Sequence, residues 1–165
     1  MFKVSADKAR NLLIMTFAKH VAPEELKDAR STVKTLVADL LSGFRLLSDF
    51  SSLDTMDPAC LVHIRENMDL FNQRGIAVVV RVIPDPHKDI GLNILSLFHY
   101  RRGVRIVTCA RLPEAMDALK VLQLGQEHAP VKGVGSQGFQ ARGSSQASGQ
   151  ISSAWNDASP RWEYA

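Results

Sequence analysis

The sequence predicts an α/β fold built on a mixed, mostly parallel sheet, with an N-terminal β-hairpin and helices alternating with strands. Three observations carry this. The run IAVVVRVI, residues 76–83, has the near-continuous β-branched character of a strand covered on both faces. Segments with helically spaced apolar residues alternate with short strand-like runs as far as residue 124. Two strand-like runs stand at the start with only a polar turn between them, which is the pattern of a hairpin. The expected order is β-β-α-β-α-β-α-β-α, and such alternation implies right-handed parallel crossovers.

Each element has its own signal. Phe2 and Val4, then residues 12–17, form the two hairpin strands, joined by the turn SADKARN. APEELKDARSTVKTLVADL follows as one helix, with Leu26, Ala29, Val33, Leu36 and Leu40 at helical spacing. Pro23 suits its first position, where a missing N–H costs nothing, and Glu24 and Glu25 suit its positive end. Gly43 stops it, and FRLLSDF is the next strand. A helix from about Pro58 carries Leu61, Ile64, Met68 and Phe71 on one face and ends at Gly75. After it, IAVVVRVI is placed at or near the centre of the sheet and closes at Pro84. HKDIGLNILSLFHY is helical, with Ile90, Ile94, Leu97 and Phe98 as its stripe and Gly91 weakening its first turn. Residues 104–108 make the last strand, and a helix from Pro113 buries Ala115, Leu119 and Leu122.

The folded domain is expected over residues 1–124. Residues 125–165 change to Gly, Ser and Gln with no sustained apolar period, the composition of a flexible linker. Trp155, Trp162 and Tyr164 near the end read as incidental aromatics of that tail rather than a docking peptide.

Composition narrows the function. A net charge of +3, with both signs mixed along the chain, gives no basis for nucleic-acid binding. The strongest apolar run is short and contains Arg81, so no membrane span is expected. Met1 to Arg10 contains Lys3, Asp7, Lys8 and Arg10, so no apolar signal-peptide core follows the start. With two cysteines, Cys60 and Cys109, the chain fits a cytoplasmic protein with reduced thiols.

The residues richest in chemistry lie in SSLDTMDPACLVHI, residues 51–64. Asp49 ends a strand, and Asp54 and Asp57 stand in the loop before the next helix, at the sheet edge where ligands of open α/β folds bind. A Mg²⁺ site there needs substrate phosphates and positioned carboxylates together, and neither a glycine-rich phosphate loop nor a catalytic lysine motif accompanies them. Capping is the stronger reading: Asp is a strong N-cap, and proline is ideal immediately after it. Cys60, His63 and Cys109 with His87 or His99 contain no paired Cys-x-x-Cys element, so they are read as scattered rather than as a zinc set. No G-x-S-x-G elbow or Cys–His–Asn arrangement is present. The basic run HYRRGVR reads as a solvated helix end.

The element order, with FRLLSDFSSLDTMDPACLVHI, FNQRGIAVVVRVIP and GVRIVTCARLPEAMDAL, resembles the sulfate transporter and anti-sigma-factor antagonist (STAS) domain family over roughly residues 2–124. These stretches look like that family's strand ending in Asp with its switch loop, its "rG" strand entry and its closing "EA" helix. Bacterial anti-anti-sigma factors of the family carry Asp-Ser-Ser/Thr-Gly at the start of the second helix. Phosphorylation of the first Ser, by a kinase that is also an anti-sigma factor, prevents partner binding there. Laid on that motif, Asp57 matches the Asp, Pro58 stands at the phosphoacceptor position, Ala59 at the next, and Cys60 replaces Gly. Proline has no hydroxyl to receive phosphate.

The resemblance implies a small cytoplasmic, non-enzymatic regulatory domain without a cofactor, acting through a protein partner of anti-sigma or sensor type. The expected surface is Ser51, Ser52, Asp54, Thr55, Asp57, Pro58 and Cys60, with the first turns of the following helix and neighbouring parts of the next. The alternative is a small-ligand module, for lipid or nucleotide, using a pocket at the same sheet edge.

Overall fold

In a computed structural model, residues 1–85 and 100–127 are described, and they lie within one compact unit, Met1–Ala129. Five strands form one sheet in the order β1-β2-β3-β4-β5: Phe2–Asp7, Leu12–Val21, Arg45–Met56, Val78–Val82 and Arg105–Cys109. β1 pairs antiparallel with β2, and every later pairing is parallel. The mixed sheet with its hairpin is the one expected. β3 is the middle strand, and the IAVVVRVI strand, β4, sits beside it between β3 and β5. All of β4 is buried, as an unalternating β-branched run requires when both sheet faces are covered.

The helices are α1 (Pro23–Asp28), α2 (Arg30–Ala38), α3 (Cys60–Gln73) and α4 (Leu112–Glu127). Because side chains alternate along each strand, the sheet sorts its core into two layers. Leu13, Met15, Phe17, Leu46, Phe50 and Val79 face a layer containing Leu26, Val33, Val37, Ile64, Met68 and Phe71 from α1, α2 and α3. Leu12, Leu47, Val78, Val80 and Val82 face Ala115, Leu119 and Leu122 of α4. The stripe predicted for α4 is therefore the one that packs. Phe17 stacks on Phe50 with ring centroids 4.5 Å apart, joining β2 to β3 on the first face.

Several expectations are corrected. The single helix expected before Gly43 is interrupted at Ala29, which caps α1 and precedes α2 while keeping helical dihedrals, φ −73° and ψ −10°. Apolar spacing continues through that residue, so periodicity alone does not register the break. On α3, Cys60 is fully buried and Leu61 is 43% exposed. Both residues are compatible with a stripe through Ile64, Met68 and Phe71. The helix settles with Cys60 inward, where its thiol reaches the Val21 carbonyl. β3 continues well past Phe50, and α4 continues past Leu124 to Glu127. The helix expected over residues 87–100 lies outside the described residues apart from Tyr100, as does the expected tail from residue 128 onward.

Candidate partner-binding surface

The pairing of β3 with β4 ends at Asp49–Val82, whereas its pairing with β2 runs on to Val21–Met56. The segment Ser51 to Met56 is thus an extended strand beside Ala18 to Val21 rather than the loop expected from the sequence. Its polar residues face solvent while its backbone groups pair with β2, so composition alone reads as loop where the ladder makes strand. Two register shifts, at Thr16/Ala18 and Lys19/His20, bend this two-stranded ribbon. Lys19 occupies the left-handed region at φ 56°, a conformation that bulges use and that non-glycine residues seldom adopt. His20 Nδ1 and Thr55 Oγ1 lie 2.9 Å apart in a cross-strand hydrogen bond.

Asp49 is half-buried inside β3 instead of ending it, and its carboxylate accepts the Ser51 amide at 2.9 Å. Ser51, Ser52, Asp54, Thr55 and Pro58 are exposed, and Asp57 is half-buried. Asp57 turns the chain from ribbon into helix. Its amide donates to the Val21 carbonyl at 3.1 Å, and its Oδ1 accepts the Ala59 amide at 2.8 Å. Its own carbonyl accepts the Cys60 amide at 2.9 Å. The expectation that Asp57 is the N-cap is corrected: α3 begins at Cys60 with Ala59 at its N-cap and no side-chain cap bond, and the Asp57 carboxylate instead closes the turn that leads into it.

Cys60 lies beneath this surface, its Sγ 3.4 Å from the Val21 carbonyl. Burial raises its thiol pKa, and the carboxylates of Asp57, Glu24 and Glu25 push it further the same way. The thiol is held protonated, the opposite of an activated nucleophile. Cys109 packs with the other core layer, on the α4 face of the sheet, so the two cysteines do not converge. His63 Nδ1 lies 3.5 Å from Glu66, whose carboxylate also pairs with Arg30 at 3.0 Å. Among the described residues no three metal-ligating side chains gather, and His87 and His99 lie outside them.

The expected surface takes in the first turns of the helix after Pro58, although the apolar spacing put Leu61 on that helix's buried stripe. Leu61 and Val62, on the first turn of α3, are 43% and 54% exposed beside Pro58 and Ala59. Val62 is an apolar residue off the period of the buried stripe. Under α3, a cavity of about 30 Å³ is lined in part by Ser48, Asn67, Arg81 and Tyr100. As it stands it has the volume of about one water molecule. Burial drives the Tyr100 hydroxyl pKa far up, with Arg81 opposing, so that group stays neutral. No described helix is long and apolar enough to cross a membrane.

No protein-family model and no curated protein matches the chain. Solved structures do. An uncharacterised protein from Shewanella loihica with a SpoIIAA-like fold matches at TM-score 0.55 and 12% identity, over 72% of this chain and 92% of that one. The anti-sigma factor antagonist SpoIIAA in its unphosphorylated form matches at TM-score 0.52 and 15% identity, over 73% of this chain and 98% of that one. The Bacillus cell fate determinant SpoIIAA in its phosphorylated form matches at TM-score 0.53 and 14% identity, over 72% and 99%. The β-hairpin, the four parallel strands and the helices packed on both sheet faces are thus those of the SpoIIAA-like fold.

Proposed function

We propose that this domain is a non-catalytic regulatory module that binds a protein partner through the end of the β2–β3 ribbon and the first turn of α3. The contact residues are Ser51, Ser52, Asp54, Thr55, Asp57 and Pro58, joined by Leu61 and Val62, with Cys60 supporting them from below. The observation that carries this reading is the exposure of Leu61 and Val62, adjacent apolar side chains set in a polar rim. Likeness to structures named as anti-sigma factor antagonists supports a partner of anti-sigma or sensor type. Pro58, with no hydroxyl, leaves binding constitutive or controlled elsewhere. The two cysteines fit a reducing cytoplasm.

A photo-crosslinking residue placed at Val62 in cells tests this directly. Val121 on α4, 68% exposed, is the control. One defined protein should be captured from position 62 and not from position 121, and Leu61→Asp should abolish the capture. Equal labelling from both positions, or capture unaffected by Leu61→Asp, would remove this surface from the function.

A further inference from the structure

At the opposite end of the sheet, where β2 and β3 begin, a pocket of about 170 Å³ opens between the hairpin turn and α4. Its lining combines three cations, Arg10, Arg45 and Lys120, with the apolar side chains of Leu12, Met116 and Leu119. Arg45 is its fixed charge. It is 4% exposed, and its guanidinium donates to the Leu119 carbonyl at 2.8 Å and to the Arg10 carbonyl. These bonds tie the cation to both walls, α4 on one side and the hairpin turn on the other. A guanidinium stays charged even where burial works against it.

The other two cations are movable. Arg10 sits 3.6 Å from Asp7 and Lys120 3.0 Å from Asp117, and their side chains are 60% and 72% exposed. Exposed pairs of this kind contribute little, so exchanging either carboxylate for a ligand's anion costs little. The apolar wall is well defined: Leu12 and Leu119 are each 3% exposed, and Met116 is half-buried. A guanidinium fork and an ammonium near one opening match a carboxylate or a phosphate. Size sets the rest, because an apolar cavity of roughly 150 Å³ accommodates benzene.

We infer that this pocket binds a small organic anion with a body about the size of one aromatic ring. Its carboxylate or phosphate lies between Arg10 and Lys120 above the buried Arg45, and its body rests on Leu12, Met116 and Leu119. This site is separate from the partner surface and uses the other face of the sheet.

Amide chemical shifts of the full chain, titrated with benzoate, phenyl phosphate, benzyl alcohol and benzylammonium, test it. At least one of the two anions should give saturable shifts centred on Arg10, Leu12, Arg45 and Met116 to Lys120, with half-saturation on the order of 1 mM. The stronger anion identifies the head group as carboxylate or phosphate ester. The alcohol and the cation should bind at least tenfold more weakly. Arg10→Ala and Lys120→Ala should each weaken the anion at least fivefold without moving Tm. Absence of saturable shifts, an alcohol that binds as tightly as the anions, or both variants titrating like wild type would overturn the site.

Discussion

The Asp57 carboxylate accepts the amide of Ala59 at 2.8 Å, closing the turn through which the β2–β3 ribbon becomes α3. This bond satisfies a donor that the helix start would otherwise leave to water. Asp57→Ala should lower stability by about 1 kcal/mol, while Asp57→Asn, which keeps the acceptor oxygen, should cost only a few tenths. Urea midpoints at constant slope would measure both. Equal losses would mean that the negative charge, rather than the hydrogen bond, matters here.

Pro58 follows Asp57 and is exposed. Pro58→Ser removes a ring constraint on the unfolded chain but breaks no packing, so the cost should be on the order of 1 kcal/mol or less. Pro58→Glu should also fold, since a carboxylate suits a helix start. In the partner assay the Glu variant should bind more weakly than the Ser variant, through added charge and bulk at the centre of the surface. Unchanged partner affinity in Pro58→Glu would exclude this turn from the interface.

The two layers of the core were legible because period and face agree: β4 reads as a strand covered on both sides, and Ala115, Leu119 and Leu122 read as one helical stripe. The ribbon was not. Ser51, Ser52, Asp54 and Thr55 have turn-like composition, and their strand conformation comes from pairing with residues more than thirty positions earlier in the chain. Local propensity does not carry such pairing. That Asp57 bonds the backbone at the entry to α3 was legible because it depends only on neighbours, although the N-cap itself is Ala59. The cationic pocket was not, because Arg10, Arg45 and Lys120 come from three distant segments.

Leu61 and Ile64 separate the surface role of α3 from its core role. Ile64 is 8% exposed within the first core layer, so Ile64→Ala should destabilise by roughly 2–4 kcal/mol through lost burial and an unfilled cavity. Leu61→Ala, at 43% exposure, should cost less than about 1 kcal/mol and act on partner binding instead. Thermal melts of the two variants decide it. A larger loss for Leu61 would return that residue to the core.

Glu25 links α1 to the hairpin. Its Oε2 accepts the Phe2 amide at 2.8 Å and its Oε1 the Ala22 amide at 3.3 Å. Desolvation pushes its carboxyl pKa up, but the amide donors and the nearby amino terminus together hold it below its ordinary 4.5. A depressed carboxylate contributes stability above its unfolded pKa and loses that contribution as pH falls through the folded value. Wild type should therefore melt above Glu25→Gln at neutral pH, and the gap should close on acidification below about 4.5. A gap that persists in strong acid would assign the difference to something other than ionisation.

Gly75 ends α3 at φ +79°, and its carbonyl accepts the Gly43 amide at 2.7 Å, fastening the two turns that lead into β3 and β4. A methyl group at this position meets Ser42 Oγ and lies 3.4 Å from Ser42 Cβ. Gly103, at φ +101°, has open space where its methyl would go. Gly103→Ala therefore isolates the backbone cost, about 1–2 kcal/mol for an L side chain in the left-handed region. Gly75→Ala should cost that much plus the displacement of Ser42. Adding Ser42→Ala removes the colliding hydroxyl, so the double variant should recover part of the loss and approach the Gly103→Ala value. Chemical denaturation of wild type, Gly75→Ala, Ser42→Ala and the double variant gives the coupling between Gly75 and Ser42, with Gly103→Ala as the reference. Strict additivity would mean that Ser42 swings aside at no cost and that backbone conformation alone requires glycine at this turn.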